Sequence, residues 1–294
     1  MTIGTFDGVH RGHREVLAEI VRRAEGTGRR SVLVTFHPHP LRIVHPEIAP
    51  RLLTIPAEKK ELLAESGLEY AVFLSFTPEL QQYSARRFVE EILLARLGMD
   101  ELVIGYDHGF GKGREGTVDT MRELGTELGF AVDVVDEVRD EGEPISSSRI
   151  RRSLENGEVV AAARALGRPY SVQGPVVRGM RRGHKLGFPT ANIGIGDPEK
   201  LLPLEGVYAV RAVLGEERLP GLLHLGPRPT FPGDPPSVEV YLLDWEGDLY
   251  GQVLRVEFCA RLREIRPFAS AEALVQQMHR DVERGRAVFR GEGG

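Results

Sequence analysis

The stretch "TFDGVHRGH", residues 5–13, decides how the first half of the chain folds. A short apolar lead ends in glycine and aspartate, and His10 and His13 follow where a helix begins. Downstream, Val16, Leu17, Ile20, Val21 and Ala24 fall on one stripe at helical spacing, as a helix packed on a sheet requires. Further strands are predicted at "SVLVTF" (31–36), "YAVFLSF" (70–76), "ELVIG" (101–105) and "FAVDVV" (130–135), with helical segments between them. Strands alternating with helices imply a parallel sheet covered on both faces, with ligands bound beyond the C-terminal strand ends. "TFDGVHRGH", "FHPHP" (36–40) and "GYDHGFGKGREG" (105–116) each follow a predicted strand there, so they are expected to share one crevice.

After "ALGRPY" (165–170) the rhythm changes to short strands, "VYAVRAVL", "RLPGLLHL", "SVEVYLLDW" and "QVLRVEFCARL", separated by Gly, Pro and Asp turns. That pattern predicts an antiparallel barrel or sandwich. A terminal helix from Ser270 to about Phe289 carries Leu274, Met278 and Val282 at four-residue spacing behind a serine cap. The chain is therefore divided into an α/β domain, 1–168, ending in a small helical linker, and a β domain, 169–294.

Composition narrows the function. The 294 residues are 41% hydrophobic and 28% charged, within the range of folded soluble domains. One cysteine, Cys259, excludes an internal disulfide and a thiolate zinc cage. No apolar run long enough to span a bilayer and no signal pattern occur, so no membrane association and a cytoplasmic location are expected. A net charge of −5 argues against a nucleic-acid binder; on charge alone, the basic clusters Arg149–Arg152 and Arg178–Lys185 are solvated surface.

A helix N-terminus offers unpaired N–H donors and partial positive charge, so a glycine turn feeding one suits a phosphate. His10 and His13 can face one side of that turn and donate to an anionic oxygen; the alternatives are packing histidines or a metal pair. "PISSSRIRRSL" (144–154) places Ser146, Ser147 and Ser148 at a second helix start, with Arg149 and Arg151 one turn in. Hydroxyls there cap the helix, and guanidinium groups beside free N–H groups also suit phosphates.

In the second half, "GPVVRGMRRGHKLGFPTANI" (174–193) combines Gly179, Gly183 and Gly187 with Arg181, Arg182 and Lys185, a loop able to approach phosphates closely. Pro189 keeps Phe188 extended, and a continuing strand points Thr190 and Asn192 to one face. A hydroxyl beside a carboxamide oxygen provides hard ligands for Mg2+ carrying ATP phosphates; an ordinary strand threonine and turn asparagine is the alternative. Glu239 lies opposite Val238, Val240 and Leu242 on a strand and is the candidate base, whereas Asp244, Glu246 and Asp248 read as turn residues.

"TIGTFDGVHRGH" with "ISSSRIR" resembles the paired signature of the nucleotidylyltransferase superfamily, and with "FHPHP" and "GYDHGFGKGREG" it resembles the adenylylating half of the prokaryotic bifunctional riboflavin kinase/FAD synthetases. "GFPTAN", "LEGVYAV", "LGPRPTF", "VEVYLLDW", "DLYGQ" and "RLREIRPF" are similar to the riboflavin kinase domain. The resemblance implies a Rossmann-like nucleotidylyltransferase domain followed by an antiparallel β-barrel kinase domain with a C-terminal helix. It implies phosphorylation of riboflavin by ATP to FMN and ADP, then transfer of AMP from ATP to FMN, giving FAD and pyrophosphate, with Mg2+ as cofactor. Carried over, Gly4, Phe6 and Gly12 lie at the ATP, His10 and His13 stabilise phosphate charge, and Ser147, Ser148 and Arg151 hold pyrophosphate. Gly179, Gly183, Lys185, Gly187, Thr190 and Asn192 bind Mg-ATP, with Thr190 and Asn192 on the metal, and Glu239 activates the ribityl hydroxyl. His39 and Asp107 border the flavin of the first site, as do Arg263 and Phe268 that of the second; His37 is a further candidate.

Two departures stand out. His108 occupies a position where the family commonly has an aromatic such as Phe, and the first strand is short where relatives carry a longer N-terminal segment, so a start upstream of Met1 is expected. A protein keeping only the kinase, or a flavin-binding regulator without turnover, are the competing functions. A regulator would need neither the histidines nor Glu239.

Overall fold

The computed structural model describes residues 1–106, 109–179, 187–227 and 237–291. The chain divides into two compact units, Met1–Ser147 and Ser148–Gly294.

The first unit is built on five parallel strands: β1 (Thr2–Ile3), β2 (Val32–His37), β3 (Tyr70–Ser75), β4 (Glu101–Gly105) and β5 (Ala131–Val135). β2 pairs with β1 and β3, and β4 pairs with β5. Val103 N donates to Met1 O at 2.8 Å, which joins β4 to the free side of the β1 segment. The spatial order is thus β3-β2-β1-β4-β5, and the strand order reverses at β1, where open α/β sheets bind ligands. The predicted strands match these within one residue at each end.

Helices cover both faces. α1 (Arg11–Thr27) and α2 (Pro56–Ala64) bury Leu17, Ile20 and Leu63 against Leu33 and Val103. α3 (Val118–Leu128) and the segment Ala85–Phe88, running into a π-helical turn at Val89–Leu94, bury Met121, Phe88 and Leu93 against Ile3, Val34, Phe36, Leu102 and Ile104. Alternate strand residues therefore serve opposite faces. A two-residue turn, Glu141 and Gly142 with φ of 53° and 83°, closes a small hairpin of β6 (Arg139–Asp140) and β7 (Glu143–Pro144).

The second unit begins in α4 (Ser147–Glu155), which starts at the last residue of the first, and continues through α5 (Val159–Leu166). Leu204 N donates to Leu154 O at 2.8 Å, tying α4 to the segment before the barrel's third strand. The barrel comprises β8 (Tyr170–Val177), β9 (Ala191–Ile193), β10 (Gly206–Leu214), β11 (Glu217–Gly226), β12 (Ser237–Leu242) and β13 (Val253–Arg263), closed in the order β10-β11-β12-β9-β8-β13. All pairs are antiparallel, and pairing of β10 with β13 completes the ring, so the unit is a barrel and not a sandwich. Tyr208 and Phe258, both fully buried, meet edge-on at 5.1 Å.

β8 was not among the predicted strands, while β9 is the strand whose continuation was expected to place Thr190 and Asn192. Gly174 and Pro175 interrupt the apolar pattern of β8; a Cβ at Gly174 would come within 2.0 Å of Gly194 O, so the close approach itself demands glycine.

α6 (Ala271–Gly291) closes the chain behind Ser270, whose hydroxyl accepts from Ala273 N at 3.2 Å. Its buried positions differ from the expected apolar stripe: Gln277 and Asp281 are buried, while Leu274, Met278 and Val282 are half-buried. Arg263 supplies the reason, for its Nε and Nη2 both donate to Asp281 Oδ2, at 2.9 and 2.8 Å, and Nε also reaches Oδ1 at 3.1 Å. Gln277 donates to Asp281 at 2.8 Å and accepts from Arg266 at 2.8 Å.

Leu33→Ala deletes a fully buried side chain between β2 and α1. It should cost about 2–5 kcal/mol in denaturant unfolding of the first unit. Riboflavin phosphorylation, whose candidate residues all lie in the second unit, should survive at temperatures below that transition.

Candidate active sites

In the first unit the chain leaves β1 at Gly4 and turns through Phe6–Val9 into α1. Phe6 and Val9 have φ of 46° and 39°, a left-handed conformation that costs a residue with a side chain about 1–3 kcal/mol. Hydrogen bonds overdetermine it. Asp7 is 1% exposed, and its carboxylate accepts from Leu53 N and Thr54 N at 3.0 Å each and from Thr54 Oγ1 at 3.2 Å. Thr54 Oγ1 in turn accepts from Gly8 N at 3.0 Å, closing the circuit. A buried carboxylate so supplied with donors is tolerable; left without them it would not be.

The turn delivers three rings in a stack. Phe6 lies 4.5 Å from His13, and His13 lies 3.6 Å from His10. His10 is the N-cap of α1, its Nδ1 accepting from His13 N at 3.3 Å. With Nδ1 an acceptor, the neutral ring carries its proton on Nε2, which becomes the donor edge. Gly4 and Gly12 are fitted to the stack: a Cβ at 4 would come within 3.0 Å of the Phe6 ring, and one at 12 within 3.3 Å of the His10 ring.

Ser147 Oγ donates to Asp7 O at 2.9 Å, which ties the last residue of the first unit to the "TFDGVHRGH" turn. Ser148 is exposed and Arg151 half-buried in α4 beyond it. His39 Nδ1 accepts from Leu41 N at 3.2 Å and so starts the short helix Leu41–Val44, while His37 is exposed at the end of β2. Asp107, His108, Gly183 and Lys185 lie outside the described residues.

The second constellation sits on the barrel. Cross-strand pairing sets Asn192 opposite Glu239, Glu239 opposite His224, His224 opposite Val207 and Val207 opposite Arg263. Directly paired residues share a face, so β9, β12, β11, β10 and β13 present one transverse row. Thr190 Oγ1 donates to Glu239 Oε2 at 3.1 Å, and Ser237 Oγ donates to Oε1 at 2.7 Å. The carboxylate is thus fixed by two hydroxyls. Val238, Val240 and Leu242 are buried on the opposite face. A Cβ at Gly179 would fall 2.2 Å from Asn192 Nδ2, so the carboxamide occupies the space a side chain would fill. Gly187 has φ of 81°, and the buried Phe188 packs edge-on against Tyr241 and His279 at 5.2 and 5.1 Å, anchoring the Pro189–Thr190 bend.

Arg263 stands at the far end of the row, paired with Asp281 of α6, its guanidinium 5.6 Å from the Phe268 ring. The Thr190 hydroxyl and Asn192 carboxamide oxygens are hard donors of the kind a divalent cation takes. Among the described residues no group of three or more His, Cys, Asp or Glu could hold a metal ion. These few ligands suit a metal that arrives with nucleotide phosphates.

No local pattern marks Thr54, whose partner lies 47 residues away, or His224, set opposite Glu239 only by register. Asp7 stood in the opening stretch, but nothing there distinguished a buried clamp from a ligand.

Asp7→Asn preserves shape while replacing one acceptor by a donor that faces backbone N–H groups. It should destabilise the first unit by about 1–3 kcal/mol in urea unfolding.

Two family models match the chain: one described as FAD synthetase over residues 1–149, and one described as riboflavin kinase over residues 166–289. A bifunctional riboflavin kinase/FMN adenylyltransferase of Pseudomonas fluorescens is 38% identical over 98% of this chain and 92% of its own length. Those of Escherichia coli (strain K12) and Bacillus subtilis (strain 168) are 36% and 34% identical over the same shares. A crystal structure from Streptococcus pneumoniae, described as a macrolide-efflux protein, shares the fold at a TM-score of 0.87 and 30% identity, covering 97% of this chain and 93% of that one. Among the described residues no helix is long and apolar enough to cross a membrane.

Proposed function

The chain belongs to the family of bifunctional riboflavin kinase/FMN adenylyltransferases, and from that premise we propose how its two constellations divide the work. The protein phosphorylates riboflavin with ATP to give FMN, and it transfers AMP from a second ATP to FMN, giving FAD and pyrophosphate. Residues 169–294 carry the first step and residues 1–168 the second.

The observation that carries this assignment is the Glu239 carboxylate, held by Thr190 and Ser237 and set opposite Asn192. In the kinase step Glu239 accepts the proton of the ribityl 5′-hydroxyl as its oxygen attacks the γ-phosphorus of ATP, and ADP leaves. The two hydroxyl donors hold the carboxylate in one orientation, which saves the cost of ordering it at each turnover. Family membership supports a divalent metal in ATP chemistry, and Mg2+ is the ion we assign, with Thr190 Oγ1 and Asn192 Oδ1 as its protein oxygens. When bound, it withdraws charge from the phosphate oxygens. We assign Gly179, Gly183, Lys185 and Gly187 to the ATP phosphates, and Arg263 and Phe268 to the isoalloxazine.

In the adenylylation step a phosphate oxygen of FMN attacks the α-phosphorus of ATP in line, and the bond to the β-phosphate oxygen breaks. His10 Nε2 and the His13 imidazole donate to phosphate oxygens as charge accumulates there. Gly4, Phe6 and Gly12 shape that pocket, the departing pyrophosphate is assigned to Ser147, Ser148 and Arg151, and the flavin to His39 and Asp107.

Glu239→Gln keeps both hydroxyl contacts possible but removes the proton acceptor. It should lower FMN formation by about 10²–10⁴-fold while leaving FAD synthesis from supplied FMN within twofold, as read by chromatography of products. His13→Ala should do the converse. Loss of both activities in either folded variant would refute the division of sites.

A further inference from the structure

Lys59 is a charged side chain of the first unit that the two-step chemistry leaves without a task. On a helix such as α2 a lysine is ordinarily solvated, yet Lys59 is 8% exposed. The start of α2 fixes its direction. Pro56 stands in the first turn, Glu58 accepts from Ile55 N at 3.2 Å, and Lys59 N donates to Ile55 O at 2.9 Å. From there Lys59 Nζ donates to Thr5 O at 2.7 Å, and Thr35 Oγ1 donates to the same carbonyl at 3.1 Å.

That carbonyl immediately precedes Phe6, the first residue of the turn with left-handed φ. On the other side of Phe6, Asp7 is tied to Leu53 and Thr54, in the segment that leads into α2. A buried cation and a buried anion thus grip the turn on either side of Phe6. Burial lowers the pKa of the Lys59 ammonium from its ordinary value, and the Asp7 carboxylate raises it in part. The charge that compensates Lys59 comes from the loop that Lys59 holds.

A neutral side chain of similar length would fill this space without the desolvation cost of a buried ammonium. The charge adds a strong bond, beside that of Thr35 Oγ1, at the carbonyl next to Phe6. Phe6 stacks on His13, and His13 on His10, so a relaxed Phe6 shifts both imidazoles.

We propose that Lys59 is a positioning residue for adenylyl transfer, holding the Thr5–Val9 turn in the shape that presents the His10–His13 ring pair to the triphosphate. The proposal rests on the role assigned above to those histidines. Its test uses the full chain carrying Lys59→Met or Lys59→Arg, assayed separately for FAD formation from FMN and Mg-ATP and for riboflavin phosphorylation, with thermal unfolding followed in parallel.

Lys59→Met should lower kcat for adenylyl transfer by about tenfold or more with little change in KM for FMN, since a displaced catalytic group costs turnover and not substrate affinity. Riboflavin phosphorylation should remain within about twofold, and Lys59→Arg, which restores the cation, should recover most of the lost kcat. If Lys59→Met does not fold, Lys59→Gln, which keeps a donor and loses the charge, takes its place with the same expectations. Wild-type kcat in the folded neutral variant overturns the proposal, as does a folded Arg variant that stays as slow as the Met variant. Failure of the underlying assignment looks different: His13→Ala would leave adenylyl transfer intact.

Discussion

Everything at the first site depends on a carboxylate that has been taken out of water. Asp7 is met by three donors from Leu53 and Thr54, and Thr54 returns its hydroxyl to Gly8, so the anion and the turn that carries it stabilise one another. This allows Phe6 and Val9 to keep positive φ in a chain of L-residues. The turn emerges from β1, the strand at which the sheet order reverses, and the crevice there is open because neighbouring connections depart to opposite faces. Sheet topology chooses the place; the Asp7 circuit fixes the geometry of the imidazoles within it.

The second site depends on register. A one-residue slip in an antiparallel pair would turn Glu239 to the opposite face and bring Val238 or Val240 out. Closure of six strands prevents that, because each pairing is constrained from both sides. Short distances then follow from close backbone approach: Gly174 against Gly194 and Gly179 against Asn192 admit no side chain. The far end of the row is fixed differently, through the Arg263–Asp281 pair, with Asp281 2% exposed. Such a pair adds little net stability over an apolar contact, but removal of either partner strands the other charge, which costs about 3–5 kcal/mol. It specifies where α6 lies along the barrel more than how tightly it binds.

What the sequence disclosed and what it withheld follow from one distinction. β2 and β4 announce themselves because strands buried on both faces read as continuous apolar runs, the half-buried outer strands β3 and β5 keep enough apolar residues to be read, and the terminal helix is marked by its serine cap. β8 escaped because Gly174 and Pro175 were required by a neighbour's backbone, a cause absent from the local pattern. The helix packs on the barrel as expected, Val282 among its contacts, but the burial of Gln277 and Asp281 was missed for the same reason: both look solvent-facing until Arg263 and Arg266 arrive from elsewhere in the chain. At the sites, Thr190, Asn192 and Glu239 were legible through their motif, while Thr54, Lys59 and His224 acquire meaning only from partners distant in sequence. Local chemistry was visible. The charges and registers that position it were not.

The contrast between the two sites matches the two nucleophiles. A ribityl hydroxyl is a neutral alcohol with a proton to lose, so its site needs a base, and the base we propose is Glu239, held by two hydroxyl donors. An FMN phosphate has a second pKa of about 6 and is already anionic near neutrality, so a carboxylate beside it would repel the nucleophile. The first site accordingly turns its nearest acid, Asp7, away into the protein and spends it on backbone donors, leaving the imidazole pair at the helix start. Two ATP-dependent transfers thus place their acids oppositely. In the proposed division one carboxylate joins the row of side chains at the substrate, and the other is consumed as structure, its oxygens held by backbone and hydroxyl donors.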